Sequence, residues 1–67
     1  MLDWLVVQDR HGQSAYSYAG TRKEASELAK EWDETHGKCG DHFHKSKVWS
    51  IKNWVKTFGK TPEEMFD

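Results

Sequence analysis

Cysteine occurs once in these 67 residues, at Cys39, and proline once, at Pro62. A lone cysteine excludes a disulfide within the chain and fits a reducing compartment. With one proline there is no Pro-rich linker, and no repeat or low-complexity run is present. No window approaches the roughly 20 apolar residues of a membrane helix. Met1-Leu2-Asp3-Trp4 has neither the basic region nor the apolar stretch of a signal peptide, so the expected location is the cytoplasm. No arginine follows Arg22, which removes the bidentate reader of base edges from the C-terminal two thirds. No Gly-rich phosphate loop is present either, because Gly37-x-x-Gly40 lacks the strand-to-helix context such a loop needs.

What the chain does have is tryptophan: Trp4, Trp32, Trp49 and Trp54. A chain of this length makes one domain, residues 1–67. It buries only about 60% of its unfolded surface, and small domains need staples or unusually good packing. Each indole offers about 150–250 Å² of buriable surface, so most of the four are expected in the core, with room for one to be exposed.

Leu2 to Gln8 reads as a strand. Its continuous run Trp4-Leu5-Val6-Val7 suits a central strand buried on both faces. Residues 9–13 supply a turn around Gly12. Ser14 to Ala19 alternates, with Tyr16 and Tyr18 on one side and Ala15, Ser17 and Ala19 on the other, which completes a hairpin. Thr21-Arg22-Lys23-Glu24 is a capping box. Ala25, Leu28, Ala29 and Trp32 follow at helical spacing, so 22–36 is a helix with one apolar stripe, closed by Gly37 as its C′ residue. Residues 41–51 are strand-like, most firmly Val48-Trp49-Ser50-Ile51, with Lys45-Ser46-Lys47 either an exposed strand edge or a break. Residues 53–58 fit either a short helix capped by Asn53 and ended by Gly59, or another strand. Thr61-Pro62-Glu63-Glu64 is a second capping box with Pro at the first helical position. It starts a helical turn that carries Met65 and Phe66 back onto the body.

The expected fold is a small α+β domain of β-β-α-β order. Its antiparallel sheet carries one helix on one face and a short C-terminal helical turn. The second sheet face is expected to stay uncovered and to serve as the working surface.

Charge is segregated along the chain. Residues 38–60 hold six lysines and one acid, Asp41, for +5; residues 1–37 carry four basic and seven acidic side chains, and 61–67 three acids. The basic stretch is interleaved with Phe43, Trp49, Trp54 and Phe58. A small protein presents a binding face in this way.

Two constellations invite chemistry. His36, Cys39, His42 and His44 are zinc-ligand types, and Gly37 and Gly40 would let a loop close round an ion. Their H-x2-C-x2-H-x-H spacing nevertheless fits a polar helix-to-strand loop better than a designed site, and no cofactor is expected. Cys39 near His42 has no neighbouring oxyanion donors or orienting third group, and Asp9 with His11 only flanks a turn. A non-enzymatic protein is expected.

Two binding readings remain for the basic aromatic stretch. Lys45, Lys47, Lys52, Lys56 and Lys60 could neutralise phosphates while an aromatic ring stacks on a base. In this respect the element order is similar to the arm-binding domains of phage integrases. Alternatively, Tyr16, Tyr18, Trp49 and Trp54 anchor a larger protein, with the lysine rim steering toward an acidic surface. The order, the small size and the tryptophan content resemble phage-encoded inhibitors of host RNA polymerase, which implies a modulator of a host protein. The site expected for either partner comprises Tyr16, Tyr18, Lys45, Lys47, Lys52, Trp54 and Lys56. Because a structural metal is folding energy, treatment with a chelator is expected to leave the melting temperature unchanged. Unfolding on chelation, or one zinc retained per chain after dialysis, would reverse the assignment of the His/Cys loop.

Overall fold

Leu5 and Val6 set the architecture. They are neighbours on a strand and both are 0% exposed, although successive strand residues point to opposite faces. The computed structural model describes residues 2–10, 12–39 and 42–66, with the backbone alone at Cys39 and His42. In it β1 (Trp4–Arg10) lies between β2 (Gln13–Ala19) and β5 (Lys47–Ser50), antiparallel to both. The hairpin is tighter than expected. Its ladder runs from Trp4↔Ala19 to Arg10↔Gln13, so the residues on either side of His11-Gly12 join the strands. Gly12 takes φ 84°, and His11 lies outside the described residues.

On one face, alternation presents Trp4 and Val6 of β1, Ala19 of β2 and Val48 of β5. Helix α1 (Arg22–His36) covers them with the expected stripe. Val6, Ala19, Ala25 and Ala29 form the buried centre, with Trp4, Leu28, Trp32 and Val48 packed around it. The small alanines let the helix approach the sheet, and the larger side chains close the sides. The Thr21 hydroxyl accepts from the Glu24 N–H at 3.1 Å, and the Glu24 carboxylate accepts from the Gly20 N–H at 3.3 Å. At the far end Gly37 stays right-handed, with φ −73°. Glycine is needed there because a Cβ would collide with the Asp33 carbonyl, not because the chain reverses hand.

Over 41–51 the chain breaks into pieces, the break left open at Lys45-Ser46-Lys47 falling at residues 44–46. Strands β3 (Lys38–Cys39) and β4 (His42–Phe43) pair as a separate antiparallel ribbon, whose Gly40 and Asp41 lie outside the described residues. Three hydrogen bonds pin the passage from there to β5. The His44 N–H donates to the Gly37 carbonyl at 2.7 Å. The Gln8 amide Nε2 donates to the His44 carbonyl at 2.7 Å. The Ser46 N–H donates to Asp33 Oδ1 at 2.7 Å. Gln8 is 1% exposed, and its Oε1 accepts from Arg10 Nε, so both ends of this buried amide are satisfied. The Arg10 guanidinium in turn lies over the Trp32 ring, 5.2 Å from its centroid.

Residues 51–58 form a helix, α2 (Ile51–Phe58), and its cap is Ser50, not Asn53. The Ser50 hydroxyl accepts from the Asn53 N–H at 3.2 Å. Ile51 was expected in the strand; its β preference yields to the cap and to burial of the helix's apolar side. Gly59 ends α2 at φ 76°, where an L side chain would be strained, and its N–H donates to Val55 O at 2.7 Å. Helix α3 (Pro62–Phe66) follows. The Thr61 hydroxyl accepts from the Glu64 N–H at 3.4 Å and donates to Glu64 Oε1 at 3.1 Å.

The expectation of an uncovered second face is corrected by these two helices. That face presents Leu5, Val7 and Asp9 of β1, Ser14, Tyr16 and Tyr18 of β2, and Lys47 and Trp49 of β5. Trp54 packs edge-on against Trp49 at 5.3 Å, and Phe66 meets Tyr16 at 5.5 Å. A sheet whose middle strand is apolar on both sides needs a roof on both. Leu5→Ala is therefore expected to cost about 2–5 kcal/mol in denaturant unfolding, the penalty of a two-sided core; an open second face would tolerate it. Ser50→Ala is expected to cost about 0.5–2 kcal/mol, and Asn53→Ala less than about 0.5 kcal/mol. The reverse order would return the cap to Asn53.

Candidate functional site

The roof is incomplete. Helices α2 and α3 meet the second face at Trp49 and Tyr16, and they leave a gap beside Val7, Asp9 and Ser14. A groove of about 260 Å³ remains there. Val7 and Trp49 contribute from the sheet, and Trp54 and Phe58 of α2 with Met65 and Phe66 of α3 from the helices. On the β1–β2 side stand Asp9 and Ser14, which face each other in the ladder and are joined by a 2.7 Å hydrogen bond from Ser14 Oγ to Asp9 Oδ1. On the β5 side stand Lys45 and Lys47, both exposed.

Local sequence rules account for this arrangement. On α2 the apolar Ile51, Trp54, Val55 and Phe58 share one side, and Lys52, Asn53, Lys56 and Thr57 the other. Lys47 and Trp49 are two apart on β5 and so share a face, which sets a cation beside an aromatic floor. The rings form a continuous series. Tyr18 meets Tyr16 edge-on at 6.0 Å, Tyr16 meets Phe66, and Phe66 meets Trp54 at 6.0 Å. Phe58 then touches both Trp54, at 4.4 Å, and Trp49, at 5.6 Å. The outer members remain in water: Phe58 is 43% and Met65 39% exposed.

The residues picked out from the sequence are thus divided. Lys45 and Lys47 come together at the groove. Tyr16 and Tyr18 are half-buried in the ring series, outside the groove lining. Trp54, expected as a surface anchor, is 4% exposed and forms part of the wall. Lys52 lines a separate and larger hollow of about 520 Å³ with Asp3, Trp4, Ser50 and Ile51, and Lys56 is exposed on the polar side of α2. Val7, Asp9, Ser14, Trp49, Phe58, Met65 and Phe66 complete the groove; of these only Trp49 was named beforehand as an anchor. Two of them had a signal: Phe58 lies one helical turn after Trp54, and Trp49 alternates with Lys47. Nothing local links Asp9 and Ser14 to a region some 30 or more residues away.

Two polar atoms are buried without a hydrogen-bond partner among the described residues, Trp54 Nε1 and Ser46 Oγ. Leaving a buried donor unmet costs about 1–3 kcal/mol, so the packing of the Trp54 ring outweighs the loss of water at its N–H. Of the His/Cys group, His36 is exposed at the end of α1 and His44 is half-buried. The side chains of Cys39 and His42 lie outside the described residues, and so does the zinc question. Among the described residues no three His, Cys, Asp or Glu side chains are grouped to hold a metal ion, and no helix is long and apolar enough to cross a membrane. The chain matches no protein-family model, and no curated protein and no solved structure matches it.

Trp54 and Phe58 differ in consequence. Trp54→Ala is expected to cost about 3–5 kcal/mol, which would unfold much of so small a domain. Phe58→Ala is expected to cost about 1 kcal/mol and to leave a folded protein, as read by thermal unfolding. Equal losses would mean that Phe58 is core and not a groove edge.

Proposed function

We propose that this chain is a non-enzymatic binding protein, a stoichiometric modulator of a larger protein, and that the groove on its second sheet face is the contact surface. The observation that carries the reading is the exposure of Phe58 and Met65 beside Lys45 and Lys47 around one depression. Exposed aromatic and methionine side chains are energetically expensive to leave in water and are adaptable anchors for a partner. Lysines at the edge of such a surface steer an acidic partner and suppress a basic one. The depression is open and smaller than the ~300 Å³ or more of a typical substrate pocket, which suits docking better than enclosure of a small molecule. The acidic groups nearby, Asp9 in the groove and Glu63 and Glu64 opening α3, disfavour a run of nucleic-acid phosphates. The role of modulator rests on the resemblance in size and element order to small phage-encoded inhibitors.

The test is affinity capture with and without nuclease, comparing Lys45→Glu/Lys47→Glu with Lys52→Glu/Lys56→Glu. The expected result is one protein held in stoichiometric amount, resistant to nuclease, lost with the first pair of substitutions and kept with the second. Both variants are expected to melt like the parent, since solvated charges contribute little to stability. Capture abolished by nuclease and falling steeply with salt would make the chain a nucleic-acid binder. Capture unaffected by the first pair would remove the groove from function.

A further inference from the structure

We infer that the segment seated in the groove is an extended peptide of the partner in which a large apolar side chain stands next to carboxylates; the inference rests on the binding reading above and specifies the chemistry it takes. Shape is the first argument. The space is about 260 Å³ and is bounded below by the sheet residues Val7 and Trp49 and at the side by Phe58 and Met65. That is room for one large side chain with its backbone, not for a helix about 10–12 Å across. Aromatic rings and a flexible thioether accept an aromatic or long aliphatic side chain without a fixed outline.

Charge is the second argument. The two lysines both line the groove, Lys47 as the first residue of β5 and Lys45 two residues before it. Carboxylates at alternate positions of an extended segment repeat at the same interval, so one segment can meet both ammonium groups. On β1, the strand next to β5, stands Asp9, held by Ser14 of β2. Its negative charge excludes carboxylates from that side. The acidic residues of the occupant are therefore aligned with the β5 edge, and a backbone N–H or a cation suits the Asp9 side. A basic segment would face the opposite conditions, repelled by both lysines and favoured only by Asp9.

The experiment is amide chemical-shift mapping of the full chain with four end-blocked peptides of one length. The first has a central Phe flanked at alternate positions by Asp. In the second Asn replaces Asp, in the third Lys replaces Asp, and in the fourth Ala replaces the Phe. The expected result is saturable binding of the first peptide with shifts at Val7, Lys47, Trp49 and Phe58. The Asn peptide is expected to bind roughly tenfold more weakly and the Lys and Ala peptides not detectably. The Lys45→Glu/Lys47→Glu protein is expected to reverse the preference and take the Lys peptide, a gain that misfolding cannot produce. Equal binding of the Asp and Lys peptides overturns the inference, as do shifts confined to Lys52 and Lys56 or displacement of the Asp peptide by a single-stranded oligonucleotide. If protein capture depends on Lys45 and Lys47 while none of the peptides binds, the groove reading stands and this assignment of its occupant falls. If neither is observed, both fall.

Discussion

Two adjacent buried residues on a central strand constrain the whole molecule. Leu5 and Val6 point in opposite directions and neither meets water, so both faces of the sheet must be covered. A sequence of 67 residues with a single 15-residue helix before β5 can cover one. The other roof has to come from the residues C-terminal to β5. This accounts for the abrupt turn at Ser50, where the strand gives way to a helix within one residue, and for the second turn at Gly59 that brings α3 back across the sheet. Each turn is secured by a local hydrogen bond, Ser50 to Asn53 and Gly59 to Val55.

The two cores differ in kind. Against α1 the buried centre is aliphatic and small, with alanines allowing close approach and Trp4 and Trp32 packed around it. Under α2 and α3 it is aromatic, and ring contacts run from Tyr18 to Trp49. Large rings bury much area per residue, which suits a chain that has no disulfide to lean on. They also pack less completely. The short α2 and α3 leave Phe58 and Met65 partly in water, and Trp54 Nε1 meets no hydrogen-bond partner among the described residues. The groove is the remainder of that imperfect roof. It lies where the lysine-rich stretch passes, because the same stretch supplies both the β5 edge and the wall.

Gln8 has a different part in the architecture. It occupies a core position on β1 and is fully withdrawn from water, yet its amide spends both hydrogen-bonding ends, on the His44 carbonyl and on Arg10. A buried amide is tolerated only when satisfied, so it specifies one path for the chain between the β3–β4 ribbon and β5. Together with Ser46 held by Asp33, it determines the register in which Lys47 and Trp49 reach the second face.

Much of this was legible in the residues themselves. The hairpin, the helix over 22–36 with its Thr21 cap and apolar stripe, the stop at Gly59 and the turn at Thr61-Pro62 are written in local periodicity and capping chemistry. So was the segregation of lysine and aromatic residues toward the C-terminal half. The run Leu5-Val6-Val7 even carried the demand for two roofs, in conflict with the expectation of an open face. What covers the second face could only be decided in three dimensions, because residues 53–58 suit a strand as well as a helix until Trp54 has Trp49 to pack against. Trp54 became wall instead of anchor, and Lys45 and Lys47 were separated from Lys52 and Lys56, for the same reason. Local sequence determines which side of an element is apolar, but the partner that side meets, and the gap left between them, depend on contacts far apart in the chain.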